Sequence, residues 1–290
     1  MTQVLVAGAT GYLGRHLVGE LKGRDYQVRV LVRRKEQVEQ FQSVADDVFL
    51  GQVTSVETLR GVAEGCDIVF SCVGITHQKD GFTYEDVDYQ GNVNLLREAL
   101  AAEVQRFVYI GVFNGRRMQH LAMVDAKERF VDVLRESPIQ YTIMRPTGFF
   151  VDFDAMLQMA EQGRIILLGD GSQQLNPISG ADLASAVIDA TEDERVEVEL
   201  GGPVVYTLDE IAELAAEAVG IAPSIWHVPL WLARFARSVL RVVTPVSFYG
   251  PIEFFIEAAA TPMTAPPVGK ETLTRYFQGQ AAKRTSEIAA

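Results

Sequence analysis

A glycine-rich segment near the start of the chain, GATGYLG at residues 8–14, has the residue types and spacing of a phosphate-binding turn. An apolar run at residues 4–7 precedes it, and leucine and valine recur behind it at helical spacing, so the turn joins a strand to a helix. Glycine permits the tight turn and lets backbone amides approach a pyrophosphate. In this context the pattern predicts a dinucleotide site rather than a turn without a ligand. The expected binding residues are Gly8, Thr10, Gly11, Tyr12, Leu13 and Gly14.

Basic residues follow the second predicted strand, which reads VLVRR at residues 30–34. A site selective for NAD usually places a carboxylate there for the ribose 2′-hydroxyl, whereas a cation suits a 2′-phosphate. Arg33, supported by Arg34 or Lys35, therefore favours NADP(H) over NAD(H). The alternative is that these residues are solvated surface charges.

Two later strand ends complete the predicted cofactor site. Gln52 follows the third strand, where a side chain reaches the adenine edge. Cys72, Val73 and Gly74 end the fourth strand, where the backbone is expected to pass close to a ribose. Either segment is also compatible with a plain loop of small residues.

The elements that must position these residues alternate along the first half of the chain. Six short apolar runs, rich in β-branched residues, are separated by helical patterns; they lie at 4–7, 28–32, 48–50, 68–70, 107–110 and 141–144. This alternation predicts an α/β fold with a Rossmann-type, doubly wound parallel sheet. We expect residues 1–147 and about 176–195 to form that domain, and residues 148–175 and 196–290 to form a smaller substrate lobe over the carboxyl ends of the strands.

Composition narrows the class of protein further. The 290 residues carry a formal charge of −12, which argues against a nucleic-acid partner because a polyphosphate would be repelled. The two cysteines are expected to be buried thiols of a reducing compartment, and the four histidines lack the spacing of metal ligands. The N-terminus begins with a strand rather than a leader, so the expected location is the cytoplasm.

Further motifs follow the glycine-rich turn along the chain: VDYQGNVNLL at 87–96, RPTGFF at 145–150, NPISGADLA at 176–184 and GGP at 201–203. With residues 8–14 and Arg33, they resemble the atypical short-chain dehydrogenase/reductase superfamily, and within it the NmrA-like and divinyl-reductase-like branches. The resemblance reaches to about residue 278. It implies an extended Rossmann fold, a small C-terminal substrate lobe and a nicotinamide cofactor.

The sequence departs from the typical catalytic residues of that superfamily. Gly111 or Val112 stands where a Ser or Thr is expected after the fifth strand, and Met123 stands where the tyrosine of Tyr-x-x-x-Lys is expected. A thioether cannot donate a proton, so the usual acid is missing. Lys127 is retained, and the resemblance implies that it contacts the nicotinamide ribose and acts in catalysis. The alternative interpretation is that Lys127 is a solvated lysine on the surface of a charged helix.

Two further groups are candidates on weaker grounds. Tyr89 follows the fourth strand and is either a proton donor or a residue that packs against the sheet. Pro146, Thr147 and Phe149 follow the sixth strand, where small and aromatic residues would shield a nicotinamide ring from water.

The segment from Trp226 to Val243 combines large apolar residues with Arg234, Arg237 and Arg241 and contains no acid. Three interpretations stay open: a basic amphipathic helix on an anionic membrane, a lobe helix with a solvated arginine face, or the wall of an apolar substrate pocket.

Two functions follow from these observations. One is an NADPH-dependent reductase of a small or medium apolar carbonyl, enone or quinone-like substrate. The other is a non-catalytic NADP(H)-binding sensor, assembly factor or accessory subunit with a protein partner.

Overall fold

The computed structural model describes residues 1–76, 81–192, 196–222 and 224–289. The chain forms two compact units, the first from Met1–Arg145 and Leu183–Val198 and the second from Pro146–Asp182 and Glu199–Ala290. Residues 193–195, at the end of the predicted segment 176–195, lie outside the described residues.

Strands and helices alternate through the first half of the chain, as predicted. The strands are β1 (Gln3–Ala7), β2 (Gln27–Val32), β3 (Asp47–Leu50), β4 (Ile68–Ser71), β5 (Arg106–Ile110), β6 (Gln140–Pro146), β7 (Ile165–Leu168), β8 (Gln174–Leu175), β9 (Val196–Leu200), β10 (Tyr206–Thr207) and β11 (Ile225–Val228). The helices are α1 (Tyr12–Gly23), α2 (Lys35–Phe41), α3 (Val56–Leu59), α4 (Asn92–Ala101), α5 (Ala122–Glu136), α6 (Asp154–Glu161), α7 (Gly180–Asp189), α8 (Leu208–Ala218), α9 (Leu230–Val243), α10 (Val246–Ala260) and α11 (Leu273–Ala289). A π-helical segment, Glu85–Gly91, runs directly into α4.

The large sheet has the order β3-β2-β1-β4-β5-β6-β9, and neighbouring strands from β1 to β6 pair in parallel. The strand order reverses between β1 and β4, and doubly wound sheets hold ligands outside the carboxyl ends of the strands at such a point. Residues 4–7 of β1 are fully buried, as expected of a central strand covered by helices on both faces. The predicted Rossmann-type α/β fold is therefore confirmed.

The second unit has two small sheets and a helical core of its own. β7 pairs with β11 in parallel, and β8 pairs with β10 in antiparallel fashion. Phe150, Leu157 and Phe277 are among the buried residues that α6, α8 and α11 pack around. Helix α8 begins with a capping box, in which Thr207 Oγ1 accepts from Glu210 N at 3.1 Å and Glu210 Oε2 accepts from Thr207 N at 2.7 Å.

The aromatic and basic segment near the end of the second unit differs from its prediction in one respect. Trp226 lies on β11, and the amphipathic helix begins only at Leu230, after Pro229. Ile225–Val228 pair with Ile165–Leu168, so strand pairing overrides the helical spacing that connects Trp226 to the following residues.

Candidate functional site

A cavity of about 310 Å³ opens in the first unit at the carboxyl ends of β1, β2, β3 and β4. The structure brings these predicted cofactor-binding residues together on its wall: Gly8, Thr10, Gly11, Arg33, Gln52, Cys72, Val73 and Gly74. Apolar and small neighbours complete the lining, among them Leu31, Val32, Val53, Ile75, Phe82 and Val87. Such a mixture of an apolar wall and a few polar groups is typical of small-molecule sites.

The glycine-rich turn has the backbone geometry that a phosphate requires. Gly8 has φ +82°, and a Cβ there would lie 2.7 Å from the carbonyl oxygen of Cys72. A Cβ at Gly14 would overlap the carbonyl oxygen of Gly8, so this glycine lets α1 pack tightly on the turn. Gly11 caps α1 without a side-chain hydrogen bond, and the first turn of α1 contains no acid. The amides of that turn are therefore oriented to receive an anion.

Three further predicted residues of the turn and the strand end do not line the cavity. Tyr12 begins α1, and its ring lies edge-on to His16 with the ring centroids 5.1 Å apart. Leu13 is buried in the core and contributes packing rather than a polar contact. Arg34 caps α2, whereas the exposed Arg33 lines the cavity.

The loop after β4 forms the opposite edge of the cavity, and Asn92 braces it. Ser71 Oγ donates to Asn92 Oδ1 at 2.5 Å, and Asn92 Nδ2 donates to the carbonyl oxygen of Asp88 at 2.9 Å. Both side chains are fully buried. These bonds fix the backbone from Cys72 to Gly74 against the π-helical segment. Burial raises the pKa of the Cys72 thiol to about 12, so the sulfur at this edge is neutral.

Lys127 lies at the Gly74 edge of the cavity, held by a buried carboxylate. Its Nζ is 2.6 Å from Asp88 Oδ1, and its side chain is 14% exposed while that of Asp88 is fully buried. A Cβ on Gly74 would contact both Lys127 Nζ and, at 2.8 Å, Asp88 Oδ1. Burial opposes the ammonium charge, but the carboxylate of Asp88 outweighs it and raises the pKa of Lys127 above its usual range. The edge therefore carries an ammonium group that is charged at neutral pH.

Helix α5 is anchored one residue beyond Lys127. Glu128, fully buried, accepts from Arg145 Nη1 at 2.6 Å and from Nη2 at 3.1 Å. Arg145 Nε also reaches Glu197 at 3.3 Å. This bidentate pair fixes α5 to the end of β6, so the direction in which Lys127 points is set by packing as well as by Asp88.

The remaining predicted site residues lie elsewhere. Tyr89 is half-buried, does not line the cavity, and carries the guanidinium of Arg129 over its ring at 4.1 Å. Pro146, Thr147 and Phe149 belong to the second unit, where Thr147 Oγ1 donates to the carbonyl oxygen of Asn176 at 2.6 Å and Phe149 N donates to Asp152 at 2.8 Å. Their contact with a nicotinamide stays a prediction.

Asp88 is the residue of the site that sequence reasoning missed. It lies inside the motif VDYQGNVNLL, but helical spacing does not reveal its direction because the segment is π-helical. π-Helical turns widen the helix and often occur at functional sites. The one sequence signal that could have identified Asp88 is its position directly before Tyr89, which was already a candidate site residue.

The residues present fit a dinucleotide. Gly8 and Gly14 allow a close backbone approach that a Cβ would block, and α1 begins without a side-chain cap. Arg33 supplies a cation at the second strand end, and Lys127 supplies one at the opposite edge. Fold and site together define a Rossmann-type nucleotide-binding protein of the short-chain dehydrogenase/reductase kind.

Comparison with known proteins gives the family. Residues 8–194 match the model of a family described as NAD(P)H-binding, and the chain belongs to that family. The resemblance drawn from the motifs, including the expected nicotinamide cofactor, is thereby confirmed. Selectivity for the 2′-phosphate remains a prediction.

Three known proteins illustrate the likeness. The mitochondrial NADH dehydrogenase (ubiquinone) 1 alpha subcomplex subunit 9 of Arabidopsis thaliana is 24% identical over 283 residues, which cover 91% of this chain and 66% of the subunit. The chloroplastic divinyl chlorophyllide a 8-vinyl-reductase of the same plant is 26% identical over 335 residues, covering 98% of this chain and 79% of the reductase. The crystal structure of Citrobacter sp. triphenylmethane reductase complexed with NADP(H) superimposes with a TM-score of 0.76 at 19% identity, covering 96% of this chain and 99% of that one. At this identity the structural match shows a shared fold.

The described part of the chain contains no helix with the length and apolar character needed to cross a bilayer. Two of the similar proteins are mitochondrial and chloroplastic, so the cytoplasmic location stays a prediction.

Proposed function

We propose that the protein is an NADPH-dependent reductase of a small or medium apolar carbonyl, enone or quinone-like substrate. The observation that carries this proposal is the charged Lys127 at the Gly74 edge of the cavity, paired to buried Asp88 at 2.6 Å. A buried ion pair is expensive to build, and one at the edge of a cofactor cavity is a candidate for function. Two of the three similar proteins are named as reductases, which supports the same class.

The roles of the chain's own residues follow from their positions. The turn amides of Gly8–Gly14 would hold the pyrophosphate, and Arg33 would face the 2′-phosphate. Lys127 would donate hydrogen bonds to the nicotinamide ribose, and Asp88 keeps it charged and aimed at the Gly74 edge. A nicotinamide held there would supply a hydride for an electrophilic carbon of the substrate.

The proton that completes the reduction must come from outside the usual tyrosine position. Met123 is buried at the start of α5 and has no proton to donate. Water or another donor protonates the reduced substrate, while the ammonium of Lys127 stabilises the negative charge that develops during hydride transfer.

Loss of NADPH absorbance with a panel of quinones, enones and aromatic carbonyls tests this proposal. Lys127→Ala is expected to lower the rate about 100-fold or more, the usual effect of removing a positioned charge donor. Lys22→Ala is the matched control, since it removes a lysine that forms a surface ion pair with Asp46 at 2.7 Å. A Lys127→Ala variant that oxidises NADPH as fast as the wild type would remove Lys127 from the mechanism.

A second function, a non-catalytic NADP(H)-binding accessory subunit or assembly factor, has a specific observation in its favour. Met123 and Gly111 replace both expected hydroxyl-bearing residues, and one similar protein is named as a subunit of NADH dehydrogenase. This function predicts a defined protein partner whose affinity changes with bound NADPH.

Affinity capture with and without NADPH separates the two functions. A partner retained only in one cofactor state, together with no NADPH oxidation across the substrate panel, would favour the accessory subunit. Turnover that depends on Lys127, with identical capture in both states, would favour the reductase.

A further inference from the structure

The helical pair α9 and α10 of the second unit directs large apolar side chains into solvent. On α9, Val242 is 85% exposed, Trp231 is 69% exposed and Phe235 is 65% exposed. Phe248 and Phe255 are also exposed on α10. Single exposed apolar residues are ordinary on a protein surface, but a concentration of the largest side chains on one pair of helices marks an interaction surface.

The exposed residues fall on one side of each helix. Trp231, Phe235, Val239 and Val242 recur every three or four residues along α9. Phe248, Ile252 and Phe255 recur in the same way along α10. Residues at this spacing share a helix face, so each helix presents a continuous apolar line to solvent.

The side on which the two helices meet is polar. Arg237 lies 3.7 Å from Glu253 and 3.8 Å from Glu257, and Arg241 also pairs with Glu253. Glu253 is almost completely buried. A helix pair in water normally turns its charges outward, whereas Arg237, Arg241 and Glu253 form ion pairs between these two helices. The side chain of Arg237 pairs with acids of α10, so the interpretation of a solvated arginine face, one of the three left open, does not hold for this residue.

The charge left on the outer side of the pair is positive. Helix α9 contains no acidic residue, and both acidic residues of α10, Glu253 and Glu257, are engaged by arginines of α9. Arg234 is exposed, whereas Arg241 pairs with Glu253 and keeps 43% of its side chain exposed. This local positive charge stands out in a chain whose net charge is −12.

Charge and residue type together select the occupant of this surface. Arginine attracts the phosphates of anionic lipids, and tryptophan favours the boundary between headgroups and acyl chains. A second copy of the chain would need exposed acidic groups on the same face to pair with Arg234, but both acidic residues of α10 are already engaged by arginines of α9. The charge pattern therefore favours a lipid surface over self-association.

We infer that the outer face of α9 and α10 binds an anionic lipid bilayer, with the helices lying in the plane of the interface. Trp231, Phe235 and Val242 enter the headgroup region, and Arg234 contacts lipid phosphates. None of these exposed residues lines the cofactor cavity, so lipid binding can be tested independently of the reductase function.

Vesicle flotation of the full chain tests the inference. We expect the protein to float with vesicles of phosphatidylglycerol and phosphatidylcholine, to bind vesicles of phosphatidylcholine alone at least about tenfold more weakly, and to lose affinity as salt rises. The chain has two tryptophans, so a Trp226→Phe variant leaves Trp231 as the single reporter. Its emission is expected to shift to shorter wavelength with the anionic vesicles and to be quenched by lipids brominated in the acyl chain.

Matched variants make the result specific. Phe235→Ser with Val242→Ser is expected to abolish flotation, and Arg234→Gln is expected to weaken it only for anionic vesicles. Val44→Ser, which removes an exposed apolar residue of the first unit, should float as the wild type. Absence of binding to either vesicle overturns the inference. So does concentration-dependent self-association, measured by sedimentation velocity, that is lost in the same Phe235 and Val242 variant without any vesicle binding.

Discussion

Lys127 and Asp88 form a buried ion pair, with Nζ 2.6 Å from Oδ1, that joins helix α5 to the π-helical segment at the edge of the cofactor cavity. The other carboxylate oxygen of Asp88 accepts from the backbone amide of Ile75 at 3.2 Å. One side chain therefore holds both the lysine and the loop that lines the cavity. Binding geometry and local stability depend on the same pair.

Removing one member of this pair should be costly. Lys127→Met leaves the carboxylate of Asp88 buried without its partner, which is expected to lower the free energy of unfolding by about 3–5 kcal/mol. The double variant Lys127→Met with Asp88→Leu should recover most of that loss, because apolar residues of similar size often replace a buried pair at little cost. Urea unfolding measures all three proteins. A loss below about 1 kcal/mol in the single variant, the range of a surface pair, would show that the pair is open to water.

The same pair makes a prediction about alkaline pH. The pKa of Lys127 is raised in the folded chain above its ordinary value of 10.5. Its contribution to stability is therefore fully present below that value and is lost as pH rises through the folded pKa. The difference in unfolding free energy between the wild type and the double variant should stay constant from about pH 7 to about pH 9 and change only above about pH 10.5. If this difference in unfolding free energy changed near neutral pH instead, the titrating group would be one other than Lys127.

Two glycines of α1 provide a matched pair for the cofactor turn. A Cβ at Gly14 would overlap the Gly8 carbonyl, whereas Gly19 has no neighbour within 4 Å of the corresponding position. Gly14→Ala should lower stability by about 2 kcal/mol or more and weaken NADPH binding, since the turn must shift. Gly19→Ala should raise stability by about 0.5–1 kcal/mol, the usual gain of alanine over glycine within a helix. Equal effects of the two substitutions in urea unfolding would contradict the close packing at Gly14.

Much of this site could be predicted from sequence because local pattern determines it. The strand, glycine turn and helix at residues 4–21 are set by spacing alone, and Arg33 follows from its place after β2. Asp88 could not be predicted, because its direction depends on a π-helical turn and on a lysine of another helix. The inward arginines of α9 also depend on a distant partner, Glu253, which their own spacing does not indicate.

Tyr109 is a buried residue that does not line the cofactor cavity, so its substitution should affect stability and not NADPH binding. Its hydroxyl is buried and makes no hydrogen bond among the described residues, and burial raises its pKa to about 12. Its ring packs edge-on to Phe130 with centroids 4.7 Å apart, and phenylalanine would keep that contact. Tyr109→Phe is therefore expected to leave stability unchanged or raise it by up to about 1 kcal/mol, since it removes an unsatisfied polar group. NADPH affinity should not change. A loss of more than about 1 kcal/mol would indicate a bound water that satisfies the hydroxyl.

Arg33 should determine which dinucleotide the protein prefers. Arg33 is exposed and lines the cavity beside Val32, at the place where NAD-selective sites carry a carboxylate. Arg33→Asp removes a charged contact with the 2′-phosphate, so NADPH affinity is expected to fall about 10- to 100-fold, equivalent to the roughly 1.5–3 kcal/mol of a charged hydrogen bond. NADH affinity should stay the same or rise, because the new carboxylate can accept from the ribose 2′-hydroxyl.

Isothermal titration of both nucleotides against both proteins measures this change of preference. Arg60→Asp is the control, since Arg60 is exposed in the same unit, does not line the cavity and undergoes the same change of charge. If Arg33→Asp weakens the binding of NADPH and of NADH equally, Arg33 attracts anions in general and does not recognise the 2′-phosphate. If neither affinity changes, the expected preference for NADP(H) is wrong and Arg33 is a solvated charge.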